Sequence, residues 1–165
     1  MHRLTFHFLL LGLFLVLLGG CTKTYSDQDV HWLSVKNAEA AIQEQEGSWF
    51  SQPRPNAWID ARDEVFYKVG HIPGALNIQL SDPDAFTRLT GYGTLVVYGE
   101  GYEAPIADAM IKALLKGGME SVKGLQGGYE AWIEAGQKVV KGPDPSRRPG
   151  AIAGDRWQRQ PVDDD

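Results

Sequence analysis

The sequence predicts an α/β domain built on a mainly parallel, five-stranded sheet with helices on both faces. Three observations lead there. From His31 to about Lys141, short apolar runs alternate with segments rich in helix formers. The runs at 57–59 and 94–98 are continuously apolar, as strands buried on both faces are. Gly, Pro, Asn and Asp punctuate the switches between the two kinds of segment. Strands that alternate with helices are joined by crossovers, which makes their sheet parallel.

The elements follow in order. Residues 31–35 suit a short strand, and residues 36–45 a helix with Ala38, Ala41 and Ile42 on one face. Residues 46–56 (EGSWFSQPRPN) form a loop on Gly and Pro punctuation. Ala57, Trp58 and Ile59 make a buried strand that ends at Asp60, Ala61 and Arg62. Residues 63–69 make one or two helical turns, closed by Gly70 where a helix C-terminus calls for positive φ. A short strand at 76–78 precedes a short helix over 82–89, opened by Asp82 and Pro83. The clearest strand, 94–98, lies between Gly93 and Gly99. The clearest helix, 105–116, has Ile106, Met110, Ala113 and Leu114 on one face and ends at Gly117 and Gly118. A strand at 121–125 and a helix at 129–135, capped by Gly136, complete the set.

The chain's 165 residues, 43% of them hydrophobic, suffice for one domain with a sizeable core. A single cysteine excludes an internal disulfide framework and any multi-thiolate zinc site. Sixteen basic against 21 acidic residues argue against general nucleic-acid binding. No His, Asp and Glu cluster has metal-ligand spacing, so neither a metal nor another cofactor is expected.

The N-terminus differs from the rest. Met1, His2 and Arg3 precede an apolar run of 13 residues, 8–20 (FLLLGLFLVLLGG). That is short of the roughly 17–25 residues a membrane span needs, and matches the core of a secretory signal. The run ends in Leu18, Gly19, Gly20 and Cys21, which resembles the lipobox of bacterial lipoproteins. The resemblance implies cleavage before Cys21 and attachment of palmitate-type acyl chains to its thiol, so residues 1–20 are expected to be a signal peptide. Thr22 in place of Asp favours the outer over the inner membrane by the same analogy. Residues 21–30 read as a polar tether. The expected location is the cell envelope, facing the periplasm. At the other end, residues 142–165 hold four prolines and three glycines in 24 positions, a composition that predicts a disordered tail. Arg147, Arg148, Arg156 and Arg159 make it locally basic.

Residues 58–78 (WIDARDEVFYKVGHIPGALNI) closely resemble the first signature of the rhodanese family, with GHIPGA at 70–75 its most specific stretch. Residues 94–98 look like the strand that leads to that family's active-site loop. Residues 125–132 (LQGGYEAW) look like its LxGGxxAW segment. Together they span roughly 31–141 and imply a single rhodanese-like domain.

Active members carry sulfane sulfur on a cysteine immediately after the central strand, where N–H groups and a helix N-terminus depress a thiol's pKa. Here that place is held by Gly99, followed by Glu100, Gly101, Tyr102, Glu103 and Ala104, with no Cys, Ser, Thr or Arg. Glycine cannot form a covalent intermediate. The resemblance therefore implies a catalytically inactive binding or scaffolding module in the envelope, taking an unknown protein or a small anionic ligand. An alternative is an enzyme related to sulfurtransferases that uses a partner's thiol, or Glu100, Glu103 or Tyr102.

A further expectation is that Glu100 or Glu103 folds back into the loop's own anion cradle, since carboxylates near a helix N-terminus are favourable by about 0.3–1 kcal/mol. Asp60 and Arg62 match the family's DxR and are expected to fix the strand end. His71, after Gly70, reads as a hydrogen-bonded turn residue at the pocket rim. Trp58 and Trp132 are expected in or beside the core. Trp49 and Phe50 are expected to tuck over it.

Overall fold

A computed structural model describes residues 23–44 and 53–144. The expected signal segment 1–20, Cys21, Trp49, Phe50 and residues 145–165 lie outside the described residues. Five strands form one sheet: β1 (Trp32–Leu33), β2 (Ala57–Asp60), β3 (Leu76–Asn77), β4 (Leu95–Tyr98) and β5 (Val122–Leu125). Their order is β1-β5-β4-β2-β3 and every pairing is parallel. The helices are α1 (Val35–Gln43), α2 (Glu64–Val69), α3 (Ala85–Leu89), α4 (Pro105–Lys116) and α5 (Gly128–Glu134).

Strand period decides which core each side chain enters. Ala57 and Ile59 of β2 join Leu95 and Val97 of β4 on one face, under α3 and α4. Trp58, Val96 and Tyr98 point the other way, where α1, α2 and α5 cover them. The two central strands are buried at every position because both faces are covered. Trp58 and Trp132 lie in this second core, edge to face at 5.2 Å.

Helix bounds follow local cues. Ser34 caps α1, accepting from Asn37 N at 3.4 Å. Pro105 occupies the first turn of α4, and the buried stripe of that helix is Ala107, Met110, Ile111 and Leu114. Of the expected face Met110 and Leu114 are buried, whereas Ile106 and Ala113 are only partly so, and Ala107 and Ile111 are the deeper residues. Two further expectations shift. The helix foreseen from 82 begins at Ala85, because Asp82 Oδ1 accepts from Asp84 N and closes a turn first. Gly70 has φ 179°, extended rather than left-handed. It is needed for space, since a Cβ there would overlap the Tyr129 hydroxyl.

The packed domain also reaches past both expected boundaries. Val30 is buried in the α3–α4 core, and Asp27 pairs with Lys112, so the end of the expected tether is docked. At the other end, His71 and Val140 form an antiparallel bridge, and Gly142 N donates to Lys68 O. Asp144 is 2% exposed and accepts from Asn77 N and from Arg88, each at 3.0 Å. Residues 142–144 are therefore part of the domain, held by polar bonds that composition does not reveal.

Candidate functional site

The C-terminal ends of parallel strands are where α/β sheets gather functional groups. Here the ends of β2, β4 and β5 bring together Asp60, Arg62, Gly99, Glu100 and the Gly127–Gly128 turn. Asp60 is fully buried and Arg62 is 5% exposed. Their spacing has a local logic. Asp60 Oδ1 accepts from Arg62 N at 3.0 Å, turning the chain, and that turn brings the guanidinium back onto the same carboxylate. Arg62 Nε lies 3.0 Å from Oδ1 and Nη2 2.7 Å from Oδ2, a bidentate pair. Nη2 also donates to Gly70 O at 2.7 Å, and Nη1 to Glu100 at 2.9 Å. The guanidinium stacks over Tyr129 at 4.0 Å.

Burial opposes the Arg62 charge, but the bonds and charge of Asp60, with Glu100, outweigh it and raise its pKa above the ordinary arginine value. Burial, and next the Asp60 charge, push the Tyr98 phenol well above its usual range, so it stays protonated. Its oxygen accepts from Ile72 N at 3.2 Å. Tyr129 is raised too, by burial against a counteracting Arg62.

The loop from Gly99 to Ala104 closes on itself. Gly99 is buried, and a Cβ at that position would stand 2.5 Å from the Ala104 Cβ. Loop carbonyls face α5: Tyr129 N donates to Gly99 O at 2.9 Å and Glu130 N to Glu100 O at 2.8 Å. These are N–H groups at a helix start, which lack partners within their own helix. The close approach needs glycines in the facing turn. Gly127 and Gly128 have φ of +74° and +56°, and a Cβ on Gly128 would lie 2.6 Å from Gly99 O.

Glu100 folds back as foreseen, but onto Arg62 rather than the start of α4, and its side chain stays 53% exposed. Glu103 is exposed, and no side chain caps α4 at Ala104. Tyr102 is 70% exposed. Gly101 faces the Glu130 carboxylate. His71 is brought close in sequence but not in action. Its Nδ1 lies 2.8 Å from Tyr67 O and its ring stacks on Tyr67, away from the loop. Among the described residues no three His, Cys, Asp or Glu side chains are placed to hold a metal ion. Sequence reasoning missed Tyr98 and Tyr129 as site residues, and named Ala104 in the loop without its contact to Gly99. Only the aromatic after Gly127 and Gly128 offered a cue, and its partner Arg62 is distant in the chain.

The rhodanese-like domain profile matches residues 40–135. The chain belongs to the rhodanese-like domain family. Among curated relatives it is 35% identical over 85 residues to a helix-turn-helix-type transcriptional regulator of Mycobacterium tuberculosis, covering 51% of this chain and 37% of that protein. It is 26% identical over 136 residues to a putative thiosulfate sulfurtransferase of Synechococcus elongatus, covering 67% of this chain and 42% of that one. The chain thus spans about two fifths of the relatives it matches. The BH2092 protein of Bacillus halodurans superposes with a TM-score of 0.55 at 22% identity, over 69% of this chain and 79% of that one. A thiosulfate sulfurtransferase of Pseudomonas aeruginosa does so at 0.53 and 21%, over 78% of this chain and 23% of that one. This rhodanese-like domain shares their fold.

Replacing one member of a buried ion pair costs about 3–5 kcal/mol, whereas a half-exposed partner contributes under about 1 kcal/mol. Arg62→Met is thus expected to lower stability by the larger amount and Glu100→Gln by the smaller, measured by urea unfolding. Equal losses would show that Glu100 is as essential to the pair as Asp60.

Proposed function

We propose that this is a lipid-anchored, cell-envelope rhodanese-like protein whose domain is a non-catalytic binding or scaffolding module. One observation carries the non-catalytic part: the residue that follows the β4 strand is Gly99, and a Cβ there would stand only 2.5 Å from the Ala104 Cβ. In the family resemblance that residue is the sulfur carrier. Here the Ala104 methyl occupies the space a Cβ and sulfur need, and the nearby cation, Arg62, is bound on three sides by Asp60, Gly70 O and Glu100. An anionic sulfur donor meets the Glu100 carboxylate first. Loss of a nucleophile from a catalytic unit costs on the order of 10⁶ in rate.

The anchoring part rests on the Leu18-Gly19-Gly20-Cys21 sequence and the short apolar run before it. One acyl chain binds membranes marginally and more than one anchors stably. Docking of residues 26–30 against the domain, through Val30 and Asp27, supports a short distance between anchor and domain. The module would stand close to the membrane surface, with a protein of the envelope or a small anion as its ligand.

Transfer of sulfur from thiosulfate to cyanide by the full chain is expected at the buffer background, and a rate above it overturns the non-catalytic reading. Gly99→Cys alone is expected to remain at background and to be destabilised by about 1–3 kcal/mol through overpacking. Cys21→Ser is expected to shift the protein from the membrane to the soluble envelope fraction on cell fractionation. Unchanged membrane association would remove the lipid anchor from the proposal.

A further inference from the structure

Beside the loop, on the α2 and α4 side, lies a cleft of about 610 Å³ with Ala61, Phe66, Leu80 and Ile106 on its walls and Asp63 at its rim. Its apolar side chains are left open to solvent: Phe66 is 53% exposed and Leu80 46%. Next to it Val65 and Val69 of α2 are more exposed still. A patch of this kind on a small domain marks a contact surface. Two observations say what covers it.

The first is the course of the chain. After α5 it runs back along α2 and the turn that follows: Val140 bridges His71, Gly142 bonds Lys68 O, and Asp144 bonds Asn77 N. Asp144 is fully buried, so it is a fixed exit point at the end of β3. Gln79, Leu80 and Ser81, which line the cleft, begin two residues beyond Asn77. The second is chemistry. Residues 145–159 include Ile152 and Trp157 as apolar groups and Arg147, Arg148, Arg156 and Arg159 as cations, against the single carboxylate of Asp155. Against them stands the exposed carboxylate of Asp63 in the cleft wall. Eight residues from Asp144 to Ile152 can extend roughly 26 Å.

The geometry points to the chain's own C-terminal segment, residues 145–159, as the occupant of this cleft, with Ile152 or Trp157 between Phe66, Leu80 and Ile106. A Pro- and Gly-rich composition, which buries little surface by itself, suits ordering on a preformed surface. Tethering at Asp144 supplies an effective concentration in the mM range, so a weak site suffices. Docked there, the segment is a strap over the apolar walls of the cleft. This inference stands on the cleft and the exit point, and does not depend on the absence of sulfur transfer.

Hydrogen–deuterium exchange tests it. The amides of Leu80 and Ser81 have no acceptor among the described residues, so coverage by the strap is what would slow them. Full chain is compared with full chain carrying Ile152→Asp and Trp157→Asp, changes made in the segment itself. The expected result is exchange about tenfold faster at 79–81 in the variant, the ratio of an effective concentration near 1 mM to a Kd of about 0.1 mM. Equal rates overturn the proposal. So does protection that grows with protein concentration, which would place the segment on a second copy. A disulfide between Leu80→Cys and Ile152→Cys in a Cys21→Ser chain, formed within one molecule under mild oxidation, is the second expected readout.

Discussion

The buried ion pair between Asp60 and Arg62 is the constraint on which the rest of the site depends. A carboxylate with no solvent exposure and a guanidinium with 5% are tolerable inside a protein only if every polar atom has a partner. The pair meets that condition by recruiting distant parts of the chain. Asp60 takes the Arg62 amide and two guanidinium nitrogens, Gly70 supplies a carbonyl, and Tyr129 supplies an aromatic face. Asn77 donates to the carbonyls of both Asp60 and Arg62, tying the turn to the β3 strand. Gly70 must lack a side chain because Tyr129 lies against it. The signature motif at 58–78 thus combines core side chains with most of the partners of one buried ion pair.

The same demand reaches into the loop after β4. The remaining guanidinium nitrogen draws in Glu100, and the α5 helix draws in the carbonyls of Gly99 and Glu100. The loop is thereby pulled down between Arg62 and the Gly127–Gly128 turn, and Ala104 closes over Gly99. The cation is met by two carboxylates, and the helix N–H groups are met by the loop's backbone carbonyls. A Cβ at position 99 would therefore stand 2.5 Å from the Ala104 Cβ.

Much of the architecture is legible from local residues. Pro105 and Gly117 bound the α4 helix, and the apolar runs at 57–59 and 94–98 mark the buried strands, because capping, proline geometry and burial act within a few residues. What escapes is non-local. Glu100 and Arg62 are 38 positions apart, and no pattern announces that they bond. Gly70 reads as a left-handed cap, yet its reason is Tyr129, far along the chain. The Pro- and Gly-rich composition from 142 onward reads as loose, yet the single carboxylate of Asp144, bonded to Asn77 and Arg88, holds its first residues in the domain. Asp82 and Pro83 look like a helix start, but the Asp82 side chain closes a turn onto Asp84 instead.

The central claim is that the Arg62 guanidinium is fully engaged inside the protein and is not offered to an anionic substrate. It is tested most directly by following the Arg62 Nε–H resonance by NMR while the full chain is titrated with thiosulfate. The prediction is a resonance that exchanges slowly with water and does not move as thiosulfate is added. A saturable shift of that resonance, with release of Glu100, would contradict it and make this loop an open anion site.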